Sequence, residues 1–159
     1  ASSAGVEALG VRRVVARTGV VLGPGGGALA RMLPAFRNFL GGPLGGGRQW
    51  VPWIALADQA AALAFLAEHE AASGPFNLVA PEPCTMAALC AAVGRALGRP
   101  SWLPAPAFAL RLALGRMAGE TVLASQRAIP ARLLALGFEF GYPALGEAVA
   151  QAVAGPGPG

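Results

Sequence analysis

The stretch Arg17-Thr18-Gly19-Val20-Val21-Leu22-Gly23-Pro24-Gly25-Gly26-Gly27-Ala28-Leu29 decides how this 159-residue chain is read. It continues the Val-rich run from Val11 to Arg17, which alternates little and reads as a buried parallel strand; Val20-Val21-Leu22 extends it. Glycines then break the chain. Ala28 to Leu40 follows with Leu29, Leu33, Phe36 and Leu40 at helical spacing, and Pro34 is expected to kink that helix or reset its start. Strand, glycine turn and helix together form the setting of a dinucleotide fingerprint. Gly23 to Ala28 fits G-x-G-x-x-A, in which glycines let the backbone approach a pyrophosphate at a helix N-terminus. Two features oppose that reading. The acid expected about 20 positions on, to hold the ribose hydroxyls, is missing, the next acid being Asp58. Pro24 also removes one N–H from the loop. The glycine run is therefore read as a flexible active-site loop at the carboxyl end of a strand, where α/β proteins place ligands.

Outward from this stretch, Gln49 to Ile54 reads as a short strand carrying Trp50 and Trp53. Asp58 to Ala71 is an Ala-rich helix with an acid at its positive end, stopped by Ser73-Gly74-Pro75. Phe76 to Ala80 reads as a strand. Thr85 is placed to cap a helix from Met86 to Leu97 that Gly98 ends. Pro100 to Pro106 reads as extended and Ala107 to Ala124 as helical. A short helix is expected after Pro130, with Pro130 at its first position, then an extended Phe138-Glu139-Phe140 and a last helix from Pro143 to Val153. The order is that of an α/β chain that becomes mostly helical.

Composition narrows the function. The chain is 55% hydrophobic and only 13% charged, which excludes a disordered segment. Its most apolar stretches are interrupted by Asp58, Gln59, Pro104, Pro106 and Arg111, so neither offers the roughly 18 apolar residues of a membrane span. The N-terminal residues do not read as a signal peptide. The first residue is Ala1, as in a processed chain or a fragment. The net charge of +4 comes from 12 arginines and no lysine, scattered rather than clustered, so no nucleic-acid footprint is read. Without lysine the chain supplies neither a Schiff-base amine nor a phosphate-loop lysine. Tyr142 and His69 are its only tyrosine and histidine. His69, flanked by Glu68 and Glu70, reads as solvated. Cys84 and Cys90 lack metal-ligand spacing and read as half-buried apolar groups, so no metal is expected. Cysteine usage and the missing signal peptide together point to the cytoplasm.

The Arg17 to Leu29 stretch resembles the R-T-G-x-V-L-G-x-G-G-G-A-L segment of atypical extended short-chain dehydrogenase/reductases, the NAD-dependent epimerase/dehydratase-like proteins of the YfcH type. The resemblance continues through Met32-Leu33-Pro34, Gly41 to Gly45, Gln49-Trp50, Trp53-Ile54 and Gly74 to Asn77. Pro104 to Arg111, Ser125-Gln126-Arg127 and Tyr142-Pro143 resemble that family's small C-terminal domain of unknown function, DUF1731. The likeness runs from about Val11 to Val153, and several ordered motifs make it specific.

The resemblance implies the C-terminal portion of an extended Rossmann-type fold. Residues 1–100 would complete the α/β layer, 101–153 would form a small helical domain, and 154–159 a disordered tail. It implies an NAD(P) cofactor for the full-length protein, with Arg17, Thr18, Gly19 and Val20 bordering the nicotinamide end. Gln49, Trp50, Trp53 and Asn77 would line a pocket for an unknown small-molecule substrate. The Tyr-x-x-x-Lys pair of short-chain reductases is absent for want of lysine. The family's W-I-H-[IV]-x-D segment reads Trp53 to Asp58 here, with Ala55 in place of histidine, and Asp58 reads either as a helix-terminal carboxylate or as catalytic. Alone, such a half is expected to be inactive, to bind no dinucleotide tightly and to self-associate through its uncovered strand edge. The other reading is a stand-alone, non-catalytic interaction domain.

Overall fold

The computed structural model describes residues 5, 9–43, 46–101 and 125–155. Strands form where β-branched and aromatic residues run between glycines and prolines. β1 (Val14–Thr18) pairs in parallel with β5 (Gly74–Leu78), Val14 opposite Gly74 and Thr18 opposite Leu78. β2 (Val20–Leu22) pairs in parallel with β4 (Trp53–Ala55). What the Val-rich pattern presents as one strand is thus two, and the break is Gly19. The Gly19 N–H donates to the Leu78 carbonyl at 3.1 Å and the Val20 N–H to the Pro52 carbonyl at 2.7 Å, so the ladder changes partner within one residue. A β-carbon at Gly19 would lie 2.7 Å from the Pro52 carbonyl oxygen. Only glycine permits this approach. Pro52 likewise divides the expected strand from Gln49 to Ile54. β3 (Trp50–Val51) pairs antiparallel with β6 (Cys84–Thr85), while β4 continues beyond the proline.

The helices follow local chemistry. α1 (Gly27–Arg37) ends short of Leu40. Pro34 sits within it without resetting its start, and Asn38 closes it by donating from Nδ2 to the Pro34 carbonyl at 2.8 Å. α2 (Leu56–Glu68) starts two residues before Asp58. Its orphan carbonyls are taken up by Arg12, whose guanidinium reaches Leu66 O at 3.0 Å and Ala67 O at 2.6 Å. α3 (Met86–Leu97) is bounded as its caps predict. Thr85 Oγ1 accepts from the Ala88 N–H at 3.2 Å, and Gly98 takes the left-handed conformation, φ 61°. α4 (Ala131–Ala135) has Pro130 as its N-cap rather than its first residue, and α5 (Leu145–Ala154) starts two residues after Pro143. Phe138 to Phe140 belongs to no strand or helix; its two rings meet edge to face, and Phe138 also meets Phe65. The extended piece and helix expected across 102–124, and the tail at 156–159, lie outside the described residues.

β4 is buried on both faces, whereas β1, expected as a buried strand, is half-buried at Val14 and Val15 and exposed from Ala16 to Thr18, since it pairs on one side only. β4 alternates between the faces. Trp53 and Ala55 enter a core built with Leu22, Leu29, Phe36, Met86, Leu89 and Val93, while Ile54 enters a second with Leu66, Phe76, Leu78 and Leu133. On α3 the buried Met86, Leu89, Cys90 and Val93 fall at i, i+3, i+4 and i+7, the stripe of a helix with one face inward. The small residues Ala148 and Ala152 of α5, with Val149, join the first core, and Leu133 and Phe138 join the second. Residues on either side of position 100 therefore share both cores. Among the described residues no helix is long and apolar enough to cross a membrane.

Candidate functional site

The carboxyl ends of β1 and β5 open into a cleft of about 530 Å³, within the range of small-molecule sites. Its walls are Arg17, Thr18 and Gly19 from the end of β1, Pro52 before β4, Asn77 and Val79 from the end of β5, and the segment Gln126-Arg127-Ala128. The partner switch at Gly19 makes this opening. Where β1 leaves β5 and the chain joins β4, the backbone of Pro52 lies close beside Gly19. α/β folds place ligands outside the carboxyl ends of their strands for this reason.

Side chains fix the rim. Gln59 of α2 donates from Nε2 to Thr18 Oγ1 at 3.2 Å. Asn77 donates from Nδ2 to the Ile129 carbonyl at 3.2 Å, which ties the 126–129 segment to β5. Arg132 strengthens the tie, donating to Pro75 O at 2.7 Å and Ser73 O at 2.8 Å while lying over the Phe76 ring. Ser125 Oγ accepts from the Trp50 N–H at 3.1 Å, and the Arg127 guanidinium lies 5.3 Å from the Trp50 ring centroid. Among the described residues the lining contains two guanidinium groups and no carboxylate.

Of the residues expected at a site, Arg17, Thr18, Gly19 and Asn77 meet in this cleft. The others stand back from it. Val20 packs against the first core. Trp53 is 1% exposed, and its indole N–H is spent on the Glu82 carbonyl at 3.0 Å. Trp50 is one layer behind, supporting Arg127, and half-buried Gln49 offers its carbonyl to the Met86 N–H at 2.9 Å. The glycine run from Gly23 to Gly27 does not line the cleft; Gly23 is pressed against Leu56 and Gly27 starts α1. Pro52, Val79, Gln126, Arg127 and Ala128 were not foreseen. The motif Ser125-Gln126-Arg127 was the one available signal, and it carried no element to place it.

Asp58 proves to be a brace. It is 3% exposed, and its two carboxylate oxygens accept from the Gly141 N–H at 2.8 Å and the Tyr142 N–H at 3.0 Å. Both oxygens are engaged, and neither faces the cleft lining. His69 is half-buried against the Phe65 ring rather than solvated. Both cysteines are fully buried. Burial, and then the neighbouring Cys90, push the Cys84 thiol up to about 12, so it is no nucleophile at neutral pH.

Comparison with known proteins places these features in a family. The model for a domain of unknown function, DUF1731, matches residues 105–152. An epimerase family protein of Mycobacterium leprae is 47% identical over 147 residues, which cover 92% of this chain and 48% of the relative. The human epimerase family protein SDR39U1 is 43% identical over 143 residues, 90% of this chain and 49% of its own. The crystal structure of human SDR39U1 (isoform 2) with NADPH matches this fold with a TM-score of 0.84 and 41% identity, over 91% of this chain and 49% of that one. The chain belongs to the epimerase family of short-chain dehydrogenase/reductases. A nucleoside-diphosphate sugar epimerase from Corynebacterium glutamicum is 32% identical with a TM-score of 0.70, over 96% of this chain and 28% of that one. The fold is α/β of the Rossmann type, as the strand and helix pattern predicts. The chain spans about half the length of the epimerase family relatives it matches.

The cleft can be tested against the dinucleotide that such folds bind. The close backbone at Gly19, the Thr18 hydroxyl and the Asn77 amide suit one end of such a molecule: a flat ring needs near approach and a few polar groups. The glycine run offers no second contact, since it lies away from the cleft. The residues present fit part of a dinucleotide.

Proposed function

We propose that this chain is the substrate-side half of an NAD(P)-dependent epimerase/dehydratase-like oxidoreductase. The convergence of Thr18, Gly19 and Asn77 at the carboxyl ends of two parallel strands carries this reading. Thr18 and Gly19 border the nicotinamide end, and the rest of the cleft positions the substrate against it. NAD(P), when bound, supplies the hydride chemistry. This half contributes placement, since among the described residues no carboxylate, tyrosine or histidine lines the cleft to move a proton. Tyr142 packs against the first core and Asp58 is spent on two amides. Both facts favour a positioning role over a chemical one.

In the same reading the isolated chain is inactive and binds NADPH weakly. Calorimetric titration of NADPH tests this. The chain alone should give no micromolar dissociation constant, whereas a polypeptide joining it to a nucleotide-binding half should. Micromolar binding by the chain alone would overturn the proposal. Self-association belongs to it as well. Among the described residues β1 pairs on one side only, and Leu9 and Val11 nearby are 79% and 55% exposed. Light scattering at high concentration should show oligomers, and a clean monomer would count against an uncovered edge. A cytoplasmic setting completes the reading, supported by two buried thiols that form no disulfide.

A further inference from the structure

Gln59 meets the cleft only through another residue. It is half-buried in the first turns of α2, and it is not part of the cleft lining. Its Nε2 donates to Thr18 Oγ1 at 3.2 Å, while its Oε1 is buried and, among the described residues, has no hydrogen-bond partner. A buried acceptor left unpaired costs stability, and such a group in a native fold calls for a reason. Packing offers none, because methionine, also long and unbranched, would fill the space without that cost. Turning the amide over would not help. It would bury the NH2 group instead, and orphaned buried N–H groups are rarer than under-satisfied carbonyls. The orientation with Nε2 on Thr18 is therefore the favoured one. The turn from which Gln59 reaches is itself fixed, since the preceding Asp58 is tied to the Gly141 and Tyr142 amides.

We propose that Gln59 is a positioning residue: by occupying one lone pair of Thr18 Oγ1 it turns the hydroxyl proton into the cleft, so that Thr18 donates to a carbonyl oxygen of the ligand. A hydroxyl has one proton and two lone pairs, and its proton cannot lie along the bond that arrives from Gln59. The inference rests on the substrate-side reading, in which Thr18 borders the nicotinamide end. The carboxamide there carries both a carbonyl oxygen and an NH2 group, and Gln59 makes Thr18 select the oxygen. Gln59 follows the motif that ends at Asp58 and was not among the expected site residues.

The test uses the joined polypeptide with Gln59→Met, Thr18→Val and the two combined. Chemical denaturation of Gln59→Met should show no loss of stability, since the unpaired oxygen leaves together with the bond to Thr18. Its calorimetric affinity for NADPH should fall about fivefold, the worth of one neutral hydrogen bond. In the Thr18→Val background the same substitution should weaken binding no further. The fivefold loss should persist with the NADPH analogue that carries an acetyl group in place of the carboxamide, which keeps the carbonyl oxygen and lacks the NH2. Lost stability with affinity intact would make Gln59 a structural residue. A loss that vanishes with the acetyl analogue would make Thr18 an acceptor, and an additive double variant would mean that Gln59 does not act through Thr18. Each of these overturns the proposal. A wild type that binds no NADPH overturns the substrate-side reading and this inference with it, whereas undiminished binding by Gln59→Met overturns this inference alone.

Discussion

Asp58 and Thr18 stand at opposite ends of one idea about polar groups. Asp58 is buried, and each of its oxygens accepts from a backbone amide, 83 and 84 residues further along the chain. Thr18, at the cleft, is exposed and accepts one bond from Gln59. The first arrangement closes a structure and the second leaves something for a ligand. A buried carboxylate with both oxygens bonded to backbone amides is held as a structural acceptor, whatever position it occupies in a family motif. The rim, by contrast, is fixed from behind, by Gln59, Trp50 and Ile129, and open in front.

Substitutions at these two regions should differ in kind. The largest effect is expected at Asp58. Asp58→Ala leaves the Gly141 and Tyr142 amides without their acceptor and should cost about 3 kcal/mol in chemical denaturation. A loss below about 1 kcal/mol, with function gone, would make Asp58 a catalytic group and erase the contrast. Gly19→Ala comes next. The added carbon meets the Pro52 carbonyl oxygen at 2.7 Å, and the strand switch must shift to admit it, costing about 2 kcal/mol. Wild-type stability in that variant would mean that the switch is not held by close packing. The smallest effect is expected at the rim. Arg127→Gln loses an exposed cation–π contact and should change stability by only about 0.5 kcal/mol. A loss as large as that of Asp58→Ala would make Arg127 a structural residue.

Local patterns announced what depends on local chemistry. The Thr85 cap and the Gly98 stop of α3 rest on residues within the helix's own ends, and the apolar stripe from Met86 to Val93 needs only the helical period. The split of the Val-rich run at Gly19 was not legible, because its cause is the carbonyl of Pro52, far along the chain and brought close only by the fold. Trp53 looked like a pocket wall because aromatic residues serve both cores and pockets. Which it serves here follows from the pleat of β4, which turns Trp53 inward with Ala55. The role of Asp58 stayed open between brace and catalyst for the same reason, since its partners lie at Gly141 and Tyr142. Four of the eight residues that the family resemblance implied line the cleft, and they fall at the carboxyl ends of β1 and β5.

The central claim is that ligands meet this chain at the carboxyl ends of β1 and β5 and not at its glycine run. Amide chemical-shift mapping of the joined polypeptide during NADPH addition tests it most directly. The account predicts the largest shifts within this half at Thr18, Gly19 and Asn77, with Gly25 to Gly27 unmoved. Shifts centred on Gly25 to Gly27, with Thr18 and Asn77 silent, would contradict it.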